Sequence, residues 1–175
     1  MTKIPKYMLP HDSADLHIAA EIDDAPDRIC AILGLAYLDE KLRMALEGQL
    51  VEDKSTAKKL LRPNGPIGAF VTKAELGYML GLYSVAVRDD LLVLAEIRNM
   101  FAHFTKLIDF GSRDICKRCE ALDGFRNAFT LSENFFPKPF NRATARKRWI
   151  YAISVFSQHM EIMGRNRREI GEPQL

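Results

Sequence analysis

No stretch of this chain approaches the roughly 18 consecutive apolar residues that a membrane-crossing helix needs, and Met1 to Pro10 lacks the apolar centre of a secretion signal. A cytoplasmic protein is therefore expected. Cysteine is scarce as well. Cys30, Cys116 and Cys119 are an odd number, and the lone Cys116-x-x-Cys119 pair has no second pair or histidine cluster to complete a zinc site. His11, His17 and His159 lie far apart without ligand-like spacing, so the sequence implies neither a metal nor a cofactor. Convincing strand alternation is missing, as are internal repeats, low-complexity tracts and a domain-sized linker.

What remains is helical periodicity. With 175 residues, 47% hydrophobic and 27% charged, the chain can bury a real core yet is short enough for one domain. The expected fold is all-α, a single-domain multi-helix bundle over residues 1–175. Helices are expected over about Ser13 to Ile22 and from near Pro26 to about Leu50, with Ser13 and Asp24 as caps. One or two turns should follow within Glu52 to Arg62 before Pro63-Asn64-Gly65-Pro66 forces a turn. Further helices are expected over Ile67 to about Leu80, ended by Gly81, then Val85 to about Phe104, Arg113 to Leu122, and about Asn141 to Arg168. The apolar stripe of the second helix reads Ile29, Ile32, Ala36, Leu42, Leu46 and Leu50. That of the last reads Trp149, Ile153, Phe156, Met160 and Met163.

Charge is distributed unevenly. The net +2 hides a segment from Lys138 to Arg168 with eight basic residues against Glu161 alone, which leaves the remainder acidic. Within it Arg142, Arg146, Lys147 and Arg148 occupy the first turns of a predicted helix, where the macrodipole disfavours cations. A role outside the helix would explain them, and the expectation is that they contact DNA phosphates or an acidic partner.

A second concentration of chemistry lies in Ile97-Arg98-Asn99-Met100-Phe101-Ala102-His103. On a helix Asn99 and His103 stack at i and i+4, and Arg98 is offset from Asn99 by roughly 100°. Arg98 falls in the apolar stripe of Leu91, Leu94, Ala95, Phe101 and Ala102, so burial and an acidic partner are expected for it. Asp39 shows the mirror anomaly among Ile32, Leu35 and Leu46. A buried Asp39–Arg98 pair is therefore expected, with Glu40 as the second candidate and Arg43 as a local competitor for Asp39. His103 could exchange protons near neutral pH or serve simply as a group at a helix C-terminus.

Several segments together resemble the mannitol operon repressor family. They are Ala36-Tyr37-Leu38-Asp39-Glu40-Lys41-Leu42, Gly65-Pro66-Ile67-Gly68-Ala69-Phe70-Val71-Thr72-Lys73, Leu80-Gly81-Leu82, Ile97 to His103, and Arg118-Cys119-Glu120-Ala121-Leu122. Order and spacing agree over about residues 24–122, leaving the basic helix at about 141–168 outside the family-like core. The resemblance implies an all-helical transcriptional regulator of sugar-alcohol uptake and metabolism genes, non-enzymatic in its main role.

Arg98 and His103 also resemble the Arg-x4-His motif of the HEPN superfamily, helical domains that include metal-independent ribonucleases and inactive RNA- or nucleotide-binding relatives. That likeness implies His103 as acid or base, Arg98 on the phosphorane charge and Asn99 orienting one of them. It also implies a homodimer that joins two motifs. A helix-turn-helix is not evident: the Pro63 to Pro66 turn is too proline-rich, and Lys73 is the only cation on the helix that follows. The expected partner is therefore DNA itself or a DNA-binding or regulatory protein.

Overall fold

Pro26 separates the first two helices. The computed structural model describes residues 13–50, 52–103, 107–122 and 144–169, and the described residues form seven helices and no strand. Helix α1 (Ser13–Asp24) runs on through Asp24, so that residue ends α1 instead of capping its successor. Pro26, with extended backbone, takes the N-cap position of α2 (Asp27–Glu47), and its carbonyl accepts from Cys30 N at 2.8 Å. Proline suits this junction because a helix start has no use for its missing N–H.

Helix α3 (Lys54–Leu61) starts at Asp53, whose carboxylate accepts from Thr56 N at 3.0 Å and from Thr56 Oγ1 at 2.7 Å. These bonds satisfy a donor that a helix start otherwise leaves unpaired. Helix α4 (Phe70–Met79) ends at Gly81, whose φ of 73° lets Leu82 N reach Gly77 O at 3.0 Å while Gly81 N reaches Tyr78 O at 2.9 Å. This is the paired C-terminal closure for which glycine is favoured. Helices α5 (Val85–His103), α6 (Arg113–Ala121) and α7 (Ala145–Glu169) complete the all-α architecture.

Helix α2 is the central element, packed most extensively against α7 and also against α1, α4 and α5. One contiguous apolar core runs from Ile22 to Met160 and takes in Leu35, Leu38, Leu42, Leu91, Leu94, Phe101, Trp149 and Phe156. Truncating one of the large aromatic members is worth about 3–5 kcal/mol.

The buried line of α7 follows the sequence reading: Trp149, Ile153, Phe156 and Met160 are buried, with Met163 partly so. The buried line of α2 differs. It runs Cys30, Ala31, Gly34, Leu35, Leu38, Leu42, Ala45 and Leu46, whereas Ile29 and Ile32 remain 52% and 41% exposed and Ala36 faces solvent. The helices cross too closely for bulky side chains. A Cβ at Gly34 would lie 3.1 Å from Trp149 Nε1, and one at Gly48 would lie 2.6 Å from the carbonyl oxygen of Gly164. Small residues therefore line this seam, and a wheel weighted by side-chain bulk places the buried face one position away.

Candidate functional site

The Arg98–His103 element occupies the C-terminal end of α5. Ile97 and Phe101 anchor it in the core, and Phe101 meets Phe110 with ring centroids 4.9 Å apart. Phe110 in turn lies 6.0 Å from Trp149, which joins the segment after α5 to α7. With that face fixed, Asn99 and His103 are both exposed, one turn apart, and Arg98 is half-buried on their flank. Glu96, one residue nearer the outer face, accepts from Arg118 Nε at 3.1 Å and ties α5 to α6.

The expected Asp39–Arg98 pair does not form. Asp39 Oδ1 lies 2.6 Å from Lys73 Nζ, a lysine only 3% exposed on α4. Lys73 shares the buried face of α4 with Phe70, Ala74 and Gly77, so its ammonium is delivered to the α2–α4 seam where Asp39 emerges. The two alternatives weighed for Asp39 and Arg98 also resolve otherwise. Arg43 binds both oxygens of Glu40, at 2.6 and 2.8 Å, and pairs with Glu47 as well. The hydrogen bonds from Arg43 hold the Glu40 carboxyl below its ordinary range. Among the described residues no ion pair joins Arg98 to a carboxylate. Arg98 sits on the edge of the apolar stripe instead of within it, because the buried line of α5 runs through Val87, Asp90, Leu94, Ile97 and Phe101.

The basic helix separates into residues with different surroundings. Arg146 pairs with Asp27, and its Nη2 donates to the carbonyls of Asp23 at 2.8 Å and Ala25 at 2.6 Å. It thus closes the C-terminal end of α1, where cations complement the dipole. Arg148 Nη1 donates to Glu120 O at 3.4 Å, while Lys147 is exposed at its side chain. Arg142 and the aromatic stretch with Phe135, Phe136 and Phe140 lie outside the described residues.

Several chemically active groups take roles that the sequence pattern does not assign. Asp27 accepts from Phe110 N at 2.8 Å with one oxygen and pairs with Arg146 through the other, holding three distant parts of the chain together. Asp90 and His159 are both buried, and a ring nitrogen of His159 lies 3.1 Å from Leu82 O. Helical spacing offered a signal for both, since Asp90 continues Val87, Leu91 and Leu94, and His159 lies beside Phe156 and Met160 in the buried line. The cysteines are free thiols. Burial pushes Cys30 up to about 11 and Cys119 up to about 12, while Cys116, half-buried, donates to Phe110 O at 3.0 Å. Among the described residues no group of three or more His, Cys, Asp or Glu side chains could hold a metal, and no helix is long and apolar enough to cross a membrane.

Comparison with known proteins finds no matching family model and no matching curated protein. Among solved structures, the fold is similar to a chain in the X-ray structure of the MtlR-HPr complex from Escherichia coli. The TM-score is 0.64 at 16% sequence identity, and the match covers 83% of this chain and 97% of that one. At that identity the likeness is one of fold alone.

Proposed function

We propose that this chain is a regulator of sugar-alcohol uptake and metabolism genes, acting through its own contact with DNA or through a protein partner, and assembled as a homodimer. The observation that carries this reading is the extent of the fold likeness, which takes in nearly the whole of the neighbouring chain instead of an isolated helical hairpin. Five segments in the order of the mannitol operon repressor family support it: α2 and α5 each contain one, a third leads into the start of α4, a fourth follows its end, and the fifth spans the end of α6. The presence of HPr in that neighbouring complex supports a protein partner as one route of action.

Deleting the gene and measuring transcripts of polyol uptake and catabolism genes, with and without the polyol, tests the reading. Those transcripts should rise in the absence of inducer and return when the chain is supplied again. Unchanged transcripts under both conditions overturn it. Light scattering of the purified protein should give twice the 19.9 kDa chain mass if the homodimer is right.

A second reading is supported by one specific arrangement. Asn99 and His103 are both exposed on the outer side of α5, and Asp39, the carboxylate expected to hold Arg98, is engaged by Lys73. That arrangement suits a HEPN-type metal-independent ribonuclease or an RNA- or nucleotide-binding module, with His103 moving the proton and Arg98 meeting the phosphate. Incubation with single-stranded and structured RNA in chelator distinguishes the two readings. The nuclease requires cyclic-phosphate ends that disappear in His103→Ala, and intact RNA rejects it.

A further inference from the structure

Between Lys54 and Arg62 the chain carries four cations and no acid: Lys54, Lys58, Lys59 and Arg62. Lys54, Lys58 and Arg62 stand at successive i+4 steps along α3 and its C-cap, a line spanning about 12 Å at 1.5 Å per residue. All four side chains are exposed, and among the described residues none of them enters an ion pair. The segment is nonetheless fixed in place. Asp53 caps its start, Leu61 is buried, and Ile67 N donates to Leu60 O at 3.0 Å across the following turn.

The helix dipole accounts for Lys58 and Lys59 in the last turn of α3 but works against Lys54 in the first. A requirement outside the helix accounts for the whole row. We infer that the Lys54–Lys58–Arg62 face of α3, with Lys59 beside it, is a docking surface for the sugar-phosphate backbone of duplex DNA. The composition of the face selects this occupant over an acidic protein. Within α3 the other exposed residues are Ser55 and Thr56, with no exposed aromatic or large aliphatic side chain, and the exposed carboxylates Glu52 and Asp53 stand only ahead of Lys54, Asp53 being engaged as the cap. Protein interfaces centre on buried aromatic, methionine or arginine anchors and are depleted in lysine. Phosphate contacts need cations and hydroxyls and carry no sequence information directly.

This assignment moves the expected nucleic-acid contact from the C-terminal helix, where Arg146 is engaged with Asp27, to α3. It takes from the regulatory reading only its preference for DNA over RNA.

Fluorescence anisotropy of the full chain against a labelled mixed-sequence duplex, from 25 to 200 mM KCl, tests the inference. Four phosphate contacts give a slope near −3.6 in log affinity against log salt, or roughly a hundredfold loss between 50 and 200 mM. The variant with Lys54, Lys58, Lys59 and Arg62 all changed to Gln should lose most of that slope while keeping the wild-type helical signal and melting temperature. Lys147→Gln should change the slope by one contact at most. An unaltered slope in the quadruple variant, or no duplex binding by the wild type at 25 mM, overturns the inference. So does binding of single-stranded RNA or polyaspartate through the same residues with duplex DNA refused. The two readings fail separately. Salt-dependent binding through α3 without any change in polyol transcripts rejects the regulatory role alone, whereas polyol transcripts that respond to the deletion, together with an unaltered salt slope in the quadruple variant, reject the α3 contact alone.

Discussion

Arg146 and Asp27 form an ion pair across 119 residues of sequence, joining the first turn of α7 to the first turn of α2. The same guanidinium closes the end of α1 through the Asp23 and Ala25 carbonyls, and the same carboxylate receives Phe110 N. The two residues therefore act as one unit. Arg146→Ala and Asp27→Ala should each lower stability by roughly 1.5–3 kcal/mol, the range for hydrogen bonds to charged groups. The double variant should lose less than the sum, with a coupling of about 1 kcal/mol or more. Urea denaturation of the three variants measures this, and strict additivity would show that the pair is geometric only.

Lys73 and Asp39 are an unequal pair, because the lysine is 3% exposed whereas the aspartate keeps 35% of its surface. Removing either side chain therefore has different consequences. Asp39→Ala leaves a buried ammonium without a counter-charge and should cost about 3 kcal/mol. Lys73→Met leaves an aspartate that keeps 35% of its side-chain surface although its Oδ1 is itself buried, so it should cost less. Arg98→Met should fall below about 1 kcal/mol, as for a partly exposed side chain outside such a network. Equal midpoints for Asp39→Ala and Arg98→Met in guanidinium would contradict this ordering.

Much of the helical framework is readable from the sequence because it depends on local chemistry. Pro26 and Gly81 mark helix ends through effects confined to one or two turns, and the apolar line of α7 is dense enough to set its own phase. Ile29 and Ile32 mislead because the buried side of α2 is selected by closeness to α7, and closeness favours the smaller Ala31 and Gly34. The choice of partners is less legible still. Arg98 and Asp39 both look anomalous on helical wheels, but a wheel gives no information on which helix lies opposite. Lys73 shared the same periodic signal through Phe70, Ala74 and Gly77. The contact between Asp27 and Arg146 left no trace in local spacing.

Three glycines make different demands and should respond differently to alanine. At Gly48 a Cβ would come within 2.6 Å of the Gly164 carbonyl oxygen, a backbone atom that cannot rotate away. Gly48→Ala should therefore separate α2 from α7 and cost about 1–3 kcal/mol through overpacking. A Cβ on Gly164 would meet Ala45 Cα at 3.3 Å, so Gly164→Ala should be the milder change. Gly81 has open space around its Cβ position but a φ of 73°, and Gly81→Ala should cost roughly 1–2 kcal/mol from backbone strain alone. Thermal unfolding can rank the three. If Gly164→Ala proves more damaging than Gly48→Ala, the close approach of the two helices is misplaced.

The buried thiols predict an alkaline limit to stability. Up to about pH 8 the thiols are protonated in the folded and unfolded chains alike, so they contribute no pH dependence. Above their ordinary value of 9.0 the unfolded thiols ionise, while burial keeps Cys30 protonated to about 11 and Cys119 to about 12. The folded state then binds more protons than the unfolded state, and the sign of the linkage makes stability fall as pH rises between about 9 and 12. Tyr83 acts in the same direction, its phenol raised by burial while its hydroxyl donates to Ala74 O at 2.6 Å. Each thiol contributes up to about 1.4 kcal/mol per pH unit within its window. Urea midpoints at pH 8, 9, 10 and 11 should therefore drop less steeply in Cys30→Ala/Cys119→Ala than in the wild type, whatever the baseline cost of the lost side chains. Parallel curves for the two proteins would remove the thiols from the account and leave the alkaline response to Tyr83.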